Sequence, residues 1–166
     1  MKANTTRILG ALGFDGARLS LTVCGDAKIR TLNRLHRGLD RATDVLAFPQ
    51  EHMREGRFLR PSPSARAWLS AQGARHEARD TKANRRLAAR ASRLMPHAFL
   101  ELGDVVISRH AVRRQAAAYG VSEAEEWTRL LVHGILHLLG WDHEKPGERV
   151  RMRALEDRLV KLITRT

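Results

Sequence analysis

The stretch of sequence that decides the fold is His133-Gly134-Ile135-Leu136-His137-Leu138-Leu139-Gly140-Trp141-Asp142-His143. Histidines four residues apart lie one turn apart on the same helix face, so the first two imidazoles can reach one ion. Gly140 allows the chain to leave the helix and turn back, which brings His143 to the same point. Three imidazoles with an open fourth position are typical of a catalytic zinc site. His133, His137 and His143 are therefore the predicted ligands of one Zn²⁺ ion per chain.

The same spacing occurs in metzincin peptidases, whose pattern His-Glu-x-x-His-x-x-Gly-x-x-His has a glutamate after the first histidine. That glutamate is the general base of the peptidase reaction. In this chain the corresponding residue is Gly134. A peptidase that lacks its base has no proton acceptor, so this difference argues against proteolysis.

Length, charge and cysteine content limit the class of protein. The chain has 166 residues and a formal net charge of +12, and its length favours one domain over residues 1–166. Its single cysteine, Cys24, excludes an intramolecular disulfide or a cysteine-based zinc site and fits a reducing compartment. No stretch approaches the ~20 apolar residues of a membrane span. We expect a soluble cytoplasmic protein with no membrane partner, and its charge favours a phosphate polymer as partner.

The positive charge is concentrated in residues 51–97, here called the basic insertion. This segment has eleven basic and four acidic residues and contributes +7 of the total charge. Its first half contains Pro61-Ser62-Pro63-Ser64 and is predicted to be a loop. Its second half, with Asp80 as a candidate N-cap, is predicted to be a basic amphipathic helix. Connections of this length inside a domain are usually functional or disordered.

Outside the insertion, strand and helix patterns are mixed without regular alternation, which predicts an α+β fold. Strands are predicted at residues 19–24, 43–48 and 104–107. Helices are predicted from an Asp26 N-cap to about residue 37, from a Ser108 cap to Gly120, from the Ser122–Glu125 capping box to Gly140, and after Pro146. The third of these carries the histidines and is predicted to be the longest. Apolar faces are predicted to comprise Val112, Ala116 and Tyr119 on the second helix and Met152, Leu155, Leu159 and Leu162 on the last.

Four ordered motifs resemble those of the YbeY family of bacterial endoribonucleases and rRNA maturation factors. The histidine stretch is followed by Met152-Arg153-Ala154-Leu155-Glu156, as in that family. The other three motifs are Leu32-Asn33-Arg34-Leu35-His36-Arg37-Gly38, Thr43-Asp44-Val45-Leu46-Ala47-Phe48-Pro49 and Leu102-Gly103-Asp104-Val105-Val106-Ile107-Ser108. The resemblance covers about residues 19–49 and 100–160.

The resemblance implies a fold, an activity and partners. The fold is a single zincin-like α+β domain, with a small mixed sheet packed against helices and a long helix that bears the histidines. The activity is metal-dependent, single-strand-specific RNA cleavage in 16S rRNA 3′-end maturation, ribosome biogenesis and ribosome quality control. The implied partners are single-stranded RNA, rRNA, ribosomal particles, and ribosomal or assembly proteins. Arg37 corresponds to the arginine of the family's active-site cleft, and a guanidinium there can bind a scissile phosphate through two hydrogen bonds.

The chain departs from the family pattern at several positions. His36 replaces the usual aromatic residue and is expected to pack or lie on the surface. Leu39 and Ala42 stand where the family often has Lys and Pro. The region before Leu19 is shortened, so an N-terminal strand is expected to be missing or displaced.

Two other functions and two mechanistic questions stay open at this point. The chain could be a ribosome assembly or RNA-binding factor whose metal is mainly structural, or a metallohydrolase acting on a substrate other than RNA. Asp142 is the carboxylate nearest to a predicted ligand, and it could move a proton, cap the backbone or orient a histidine. Either water or the RNA 2′-OH could be the nucleophile.

Overall fold

The computed structural model describes residues 2–54, 56–60 and 100–164. Within these ranges the helices are α1 (Lys2–Ala11), α2 (Asp26–Arg37), α3 (Arg109–Tyr119), α4 (Glu123–Leu138) and α5 (Pro146–Thr164). The strands are β1 (Arg18–Cys24), β2 (Val45–Pro49), β3 (His52–Arg54), β4 (Arg57–Arg60) and β5 (Glu101–Ser108). None of the described helices is long and apolar enough to cross a membrane.

Three strands form a mixed sheet in the order β1-β5-β2. The central strand β5 runs parallel to β1, with Thr22 opposite Val106, and antiparallel to β2, with Val45 opposite Ile107. Helices cover both faces of β5, which explains its nearly continuous run of buried residues. The predicted α+β fold with a small mixed sheet is confirmed.

The two faces of the sheet bury different side chains. Val45, Val105 and Ile107 lie in the larger core, which also contains residues of α1, α4 and α5. On the other face Leu46 and Val106 pack with Ile29 of α2 in a smaller core. This alternation is the two-residue period of a strand, and it places the histidine-bearing α4 on one side of the sheet and α2 on the other.

Helix α4 lies unusually close to the sheet at Gly134. A Cβ atom on this residue would be 2.7 Å from Cγ1 of Val105 and 3.3 Å from Cγ2 of Val45. Position 134 therefore faces strands β5 and β2, and the sheet leaves no space there for a glutamate. This packing gives a physical reason for the absence of the metzincin general base.

A two-stranded antiparallel hairpin, β3–β4, packs against the end of α4. Gly140 has a φ of +75°, and a Cβ there would be 2.0 Å from the carbonyl oxygen of Met53. The backbone N–H of Gly56 also donates a hydrogen bond to the carbonyl of Leu139 at 2.8 Å. Only glycine lets the hairpin backbone approach the turn that precedes His143 so closely.

Several sequence-based expectations need correction. His52–Arg54 and Arg57–Arg60, predicted to be part of a loop, form the strands of the β3–β4 hairpin. The rest of the predicted loop and the predicted basic helix lie outside the described residues. The shortened N-terminal region forms helix α1. The N-cap of α2 is Gly25, and Asp26 is the first helical residue, because its carboxylate bonds Arg114 and Ser108 across the fold.

The two predicted serine caps are confirmed, but two predicted apolar faces are not. Ser108 and Ser122 cap α3 and α4 through their side chains. Tyr119 is 65% exposed, with the Arg129 guanidinium 5.9 Å from its ring centroid. On α5, Met152 and Leu159 are buried as predicted. Leu162 is exposed, and the neighbouring Ile163 is buried in its place. With 19 residues against 16 for α4, α5 is the longest described helix.

Candidate metal centre

Three imidazoles converge at the end of α4 and the turn that follows it. The Nε2 atoms of His133 and His137 are 3.0 Å apart. The ring centroid of His143 lies 5.5 Å from that of His133 and 5.1 Å from that of His137. One nitrogen from each ring lies within 4.8 Å of the other two. The structure thus brings together the three histidines that the sequence spacing singled out.

Burial keeps the central ring of this group neutral. Burial lowers the pKa of His137 to about 4, with smaller contributions from the neighbouring rings of His133 and His143. A neutral imidazole offers a nitrogen lone pair, which is the form that binds a metal.

The turn that carries His143 is held by two side chains. The backbone N–H of His143 donates to Oδ1 of Asp142 at 2.6 Å. Its carbonyl oxygen accepts a hydrogen bond from Nε of Arg149 at 3.2 Å. The structure therefore gives Asp142 a backbone-capping contact, one of the three roles that the sequence left open for it.

A carboxylate that the sequence showed only as the last residue of a family motif, without a role, contacts the cluster from α5. Oε1 of Glu156 is hydrogen bonded to Nδ1 of His133. The two side chains are 15% and 22% exposed. The available signal was the helical pattern: Glu156 follows Met152 by four residues and precedes Leu159 by three, so it lies on the buried face of its helix.

The three histidines and Arg37 line one cleft of about 820 Å³. Arg37 is exposed in the last turn of α2, on the far side of the sheet from α4. The other walls of the cleft are β2, the residues just before it, and the turn at residues 140–144. Two segments that are distant in sequence thus line the same cleft.

Local contacts hold the backbone around Arg37. The ring of His36 packs edge-on against that of Phe48 on β2, with centroids 4.8 Å apart. The buried Asn33 donates from Nδ2 to the carbonyl of Arg41 at 2.8 Å. These contacts anchor the end of α2 and the following loop to the sheet, and the expected packing role of His36 is observed.

A partly buried hydrogen-bond network reaches the cleft at Asp44. Its Oδ1 accepts the Val45 N–H at 2.8 Å and its Oδ2 accepts from Gln115 at 3.0 Å. Burial raises the pKa of Asp44, but these hydrogen bonds outweigh burial, so the pKa of Asp44 lies below its usual value. The carboxylate is therefore ionised and fixed in place, which suits a structural acceptor better than a proton donor.

The donor set fits a single transition-metal ion. Three imidazole nitrogens from one helix and its following turn could hold one ion, and nitrogen ligands suit zinc and related ions. Fold and site together define a class: an α+β protein in which three histidines that could hold a metal ion line one cleft together with an arginine.

Comparisons with known proteins identify the family. A family model described as endoribonuclease YbeY matches residues 3–164. A relative of that name from Myxococcus xanthus is 37% identical over 149 residues, which are 90% of this chain and 37% of that protein. Another from Aquifex aeolicus is 34% identical over 158 residues, 95% of this chain and 77% of that protein. The chain belongs to the endoribonuclease YbeY family.

A solved structure supports the fold independently. The solution structure of a Thermotoga maritima protein aligns with a TM-score of 0.54 at 21% sequence identity, and covers 98% of this chain and 77% of that one. At this identity the match shows the fold alone.

Proposed function

We propose that this chain is a metal-dependent endoribonuclease that cleaves single-stranded RNA. The observation that carries the proposal is the meeting of three imidazoles and Arg37 in one cleft. The family model and the names of the relatives support RNA as the substrate. We further propose zinc as the ion, one per chain, held by His133, His137 and His143.

The histidines and Arg37, which line the same cleft, would have different roles in the reaction. When bound, the ion would supply Lewis-acid chemistry, activating water and polarising a phosphoryl oxygen. Arg37, opposite the cluster, would hold the scissile phosphate through its planar guanidinium and offset negative charge in the transition state. Phe48 and Trp141 line the same cleft and offer apolar surface to an unpaired base.

We propose ribosomal RNA as the biological substrate. The family resemblance points to 16S rRNA 3′-end maturation, ribosome biogenesis and quality control, with ribosomal particles and assembly proteins as partners. The net charge of +12 favours contact with a phosphate polymer. A cytoplasmic location follows from this assignment. We also propose that residues 1–166 form one domain interrupted by the basic insertion.

The test is a cleavage assay on single-stranded RNA. Wild-type protein is compared with His137→Ala and with protein treated with a metal chelator, and a double-stranded RNA of the same sequence serves as substrate control. We expect cleavage of the single strand by wild type alone. Equal cleavage by all three samples would contradict the proposal.

The same assay distinguishes the alternatives. An RNA-binding factor with a structural metal would retain RNA without cutting it. Analysis of the cleaved ends separates the two nucleophiles, because attack by the 2′-OH leaves a cyclic phosphate and attack by water does not. A peptidase is disfavoured, since the position of its base faces Val105 and not the cleft.

A further inference from the structure

The contact between α5 and the first histidine of the cluster has a defined geometry. Met152 and Leu159, which are 1% and 4% exposed, fix the face of α5 that packs into the core. Glu156 lies on that face between them, so its carboxylate is directed toward α4, where it bonds Nδ1 of His133. The helix packing, and not a flexible surface side chain, brings these two groups together.

The two ring nitrogens of His133 have different partners. Nε2 faces the Nε2 of His137 at 3.0 Å, inside the cluster. Nδ1 faces the carboxylate of Glu156 outside it. A neutral imidazole has one N–H and one lone pair, and a carboxylate can only accept. Donation from Nδ1–H to Glu156 therefore leaves the lone pair on Nε2, directed at the centre of the cluster.

We propose that Glu156 is a positioning residue that fixes the tautomer and the ring orientation of His133 for metal binding. This inference rests on the metal centre of the proposed function. Glu156 lines a groove between α4 and α5, which His133 and His143 share, but it does not line the cleft that contains Arg37. It thus acts through His133 and not on the substrate.

The nearby arginine, Arg129, does not compete for the carboxylate of Glu156, because it is bonded to Glu126. The hydrogen bond to Glu126 is the leading cause of the raised pKa of Arg129, and the charge of Glu156 contributes less. The guanidinium of Arg129 is bound to both carboxylate oxygens of Glu126, at 2.8 and 2.6 Å. Glu156 can therefore keep its hydrogen bond to His133, and as a half-buried bond to a carboxylate it is stronger than one between neutral groups.

The other two ligand candidates are held differently. His137 is hydrogen bonded to the backbone at Trp141. Asp142, the nearest carboxylate in sequence, uses Oδ1 for the backbone N–H of His143. A substitution of Glu156 therefore tests the orientation of the His133 ring without removing a contact to the backbone.

The test measures Zn²⁺ affinity of the full chain by competition with a chromophoric chelator, without RNA. Glu156→Gln and Glu156→Ala should weaken zinc binding by roughly 10- to 100-fold, with Ala the weaker binder, since loss of such a partner typically costs that much. Asp157→Asn is the matched control: it removes the same charge from the next, exposed residue of α5, and should change affinity less than about twofold. Thermal unfolding of the metal-free proteins checks that each variant is folded.

A spectroscopic measurement separates positioning from general stabilisation. In zinc-loaded wild type, NMR of the ring nitrogens should show His133 protonated at Nδ1, with a proton protected from exchange that becomes exchangeable in Glu156→Ala. Unchanged zinc affinity in the folded Glu156 variants, or an equal loss in Asp157→Asn, would overturn the inference. If the wild type did not bind zinc, the proposed metal centre itself would be wrong. If the wild type bound zinc but did not cleave RNA, the role of Glu156 in zinc binding would still hold.

Discussion

At the scale of single residues, the candidate metal centre has no spare ligand. The described residues contain one group of side chains whose geometry suits a metal ion, and it has three members. Loss of one imidazole leaves two, which hold a transition metal far more weakly. We expect His137→Ala to reduce the zinc content of the purified protein sharply, measured by elemental analysis. Full zinc occupancy in this variant would contradict the assignment.

Arg37 is expected to act on turnover and not on folding. Its side chain is exposed at the cleft, so Arg37→Ala should keep the fold and the metal. Removal of one donor to the transition state typically lowers the rate by roughly 10²–10³, and single-turnover cleavage measures this. Arg37→Lys should recover only part of the rate, because a point charge does not replace the planar guanidinium.

A neighbouring arginine provides the control for this prediction. Arg34 lies in the same last turn of α2 and is exposed, but it does not line the cleft. Arg34→Ala should change single-turnover cleavage much less than Arg37→Ala. Equal effects would mean that general positive charge, and not a specific phosphate contact, explains the role of Arg37.

The sequence identified some site residues and missed others for physical reasons. The three histidines were found because a helix and a glycine turn relate positions 133, 137 and 143 locally. Arg37 came only from family resemblance, since its approach to the cluster depends on tertiary packing. Glu156 was missed because its contact to His133 depends on how α5 lies against α4, which local periodicity does not specify.

At the scale of elements, the contact of α4 with the sheet limits position 134. Gly134→Ala adds a Cβ that would be 2.7 Å from Val105, and overpacking of this kind typically costs about 1–3 kcal/mol. We expect a lower free energy of unfolding in denaturant titrations, despite the better helix propensity of alanine. Gly134→Ala should lower the free energy of unfolding less when Val105 is also replaced by alanine than in the wild-type background. A double-mutant cycle measures this coupling energy.

Gly147 is the matched control for this substitution. It lies in the first turn of α5, and nothing lies within 4 Å of a Cβ placed there. Gly147→Ala should therefore be neutral or stabilising by up to ~1 kcal/mol. If both glycine substitutions destabilised the protein equally, contact with the sheet would not be the cause.

The junction of β5, α2 and α3 should make stability depend on acid. Hydrogen bonds from Arg114 and then from Ser108 lower the pKa of Asp26. A carboxyl group whose pKa is lower in the folded than in the unfolded state stabilises the fold above its ordinary pKa of ~3.9. This stabilisation is lost as the pH falls from there through the lowered value. We expect the stability difference between wild type and Asp26→Asn to shrink over this range, measured by urea unfolding at several pH values.

The partner of Asp26 allows an independent check. Arg114→Gln removes the leading cause of the lowered pKa and should reduce the same acid-sensitive part of the stability. A difference between wild type and Asp26→Asn that stays constant below pH ~4 would contradict the assigned cause.

Element positions were predictable where local signals were strong. The three sheet strands and the four helices after β1 lie close to the predicted positions, because alternation, serine caps and glycine ends are local features. Strand order and the parallel pairing of β1 with β5 were not predictable, since the paired residues are more than eighty positions apart, as with Thr22 and Val106. The β3–β4 hairpin was missed because its short strands have little apolar alternation.

At the scale of the whole molecule, the hairpin changes how the basic insertion should be tested. Met53 belongs to the core, and Gly56 bonds the end of α4, so residues 51–60 must be kept. Residues 61–97 still contain eight basic and two acidic residues. We expect replacement of residues 61–97 by a short Gly/Ser linker to weaken RNA binding and to reduce the salt slope of log K by about 0.7 per lost phosphate contact.

The readouts of this replacement are chosen to separate binding from chemistry. Zinc content and the rate at saturating RNA should match those of the full chain, because the cluster and Arg37 lie outside the replaced residues. An unchanged salt slope would show that residues 61–97 do not contact RNA. A loss of zinc would show instead that they support the metal centre.

The close approach of Gly140 to the backbone of Met53 also has a consequence for the order of folding. His133 and His137 become neighbours as soon as one helical turn forms, which takes well under a millisecond. The position of His143 depends on a contact that closes a long segment of chain, and such contacts are slow because their loop entropy is lost first. We therefore expect the three rings to come together in two stages, with His133 and His137 adjacent early and His143 joining them later. During refolding, zinc should then bind with full affinity only after the β3–β4 hairpin has packed against the end of α4.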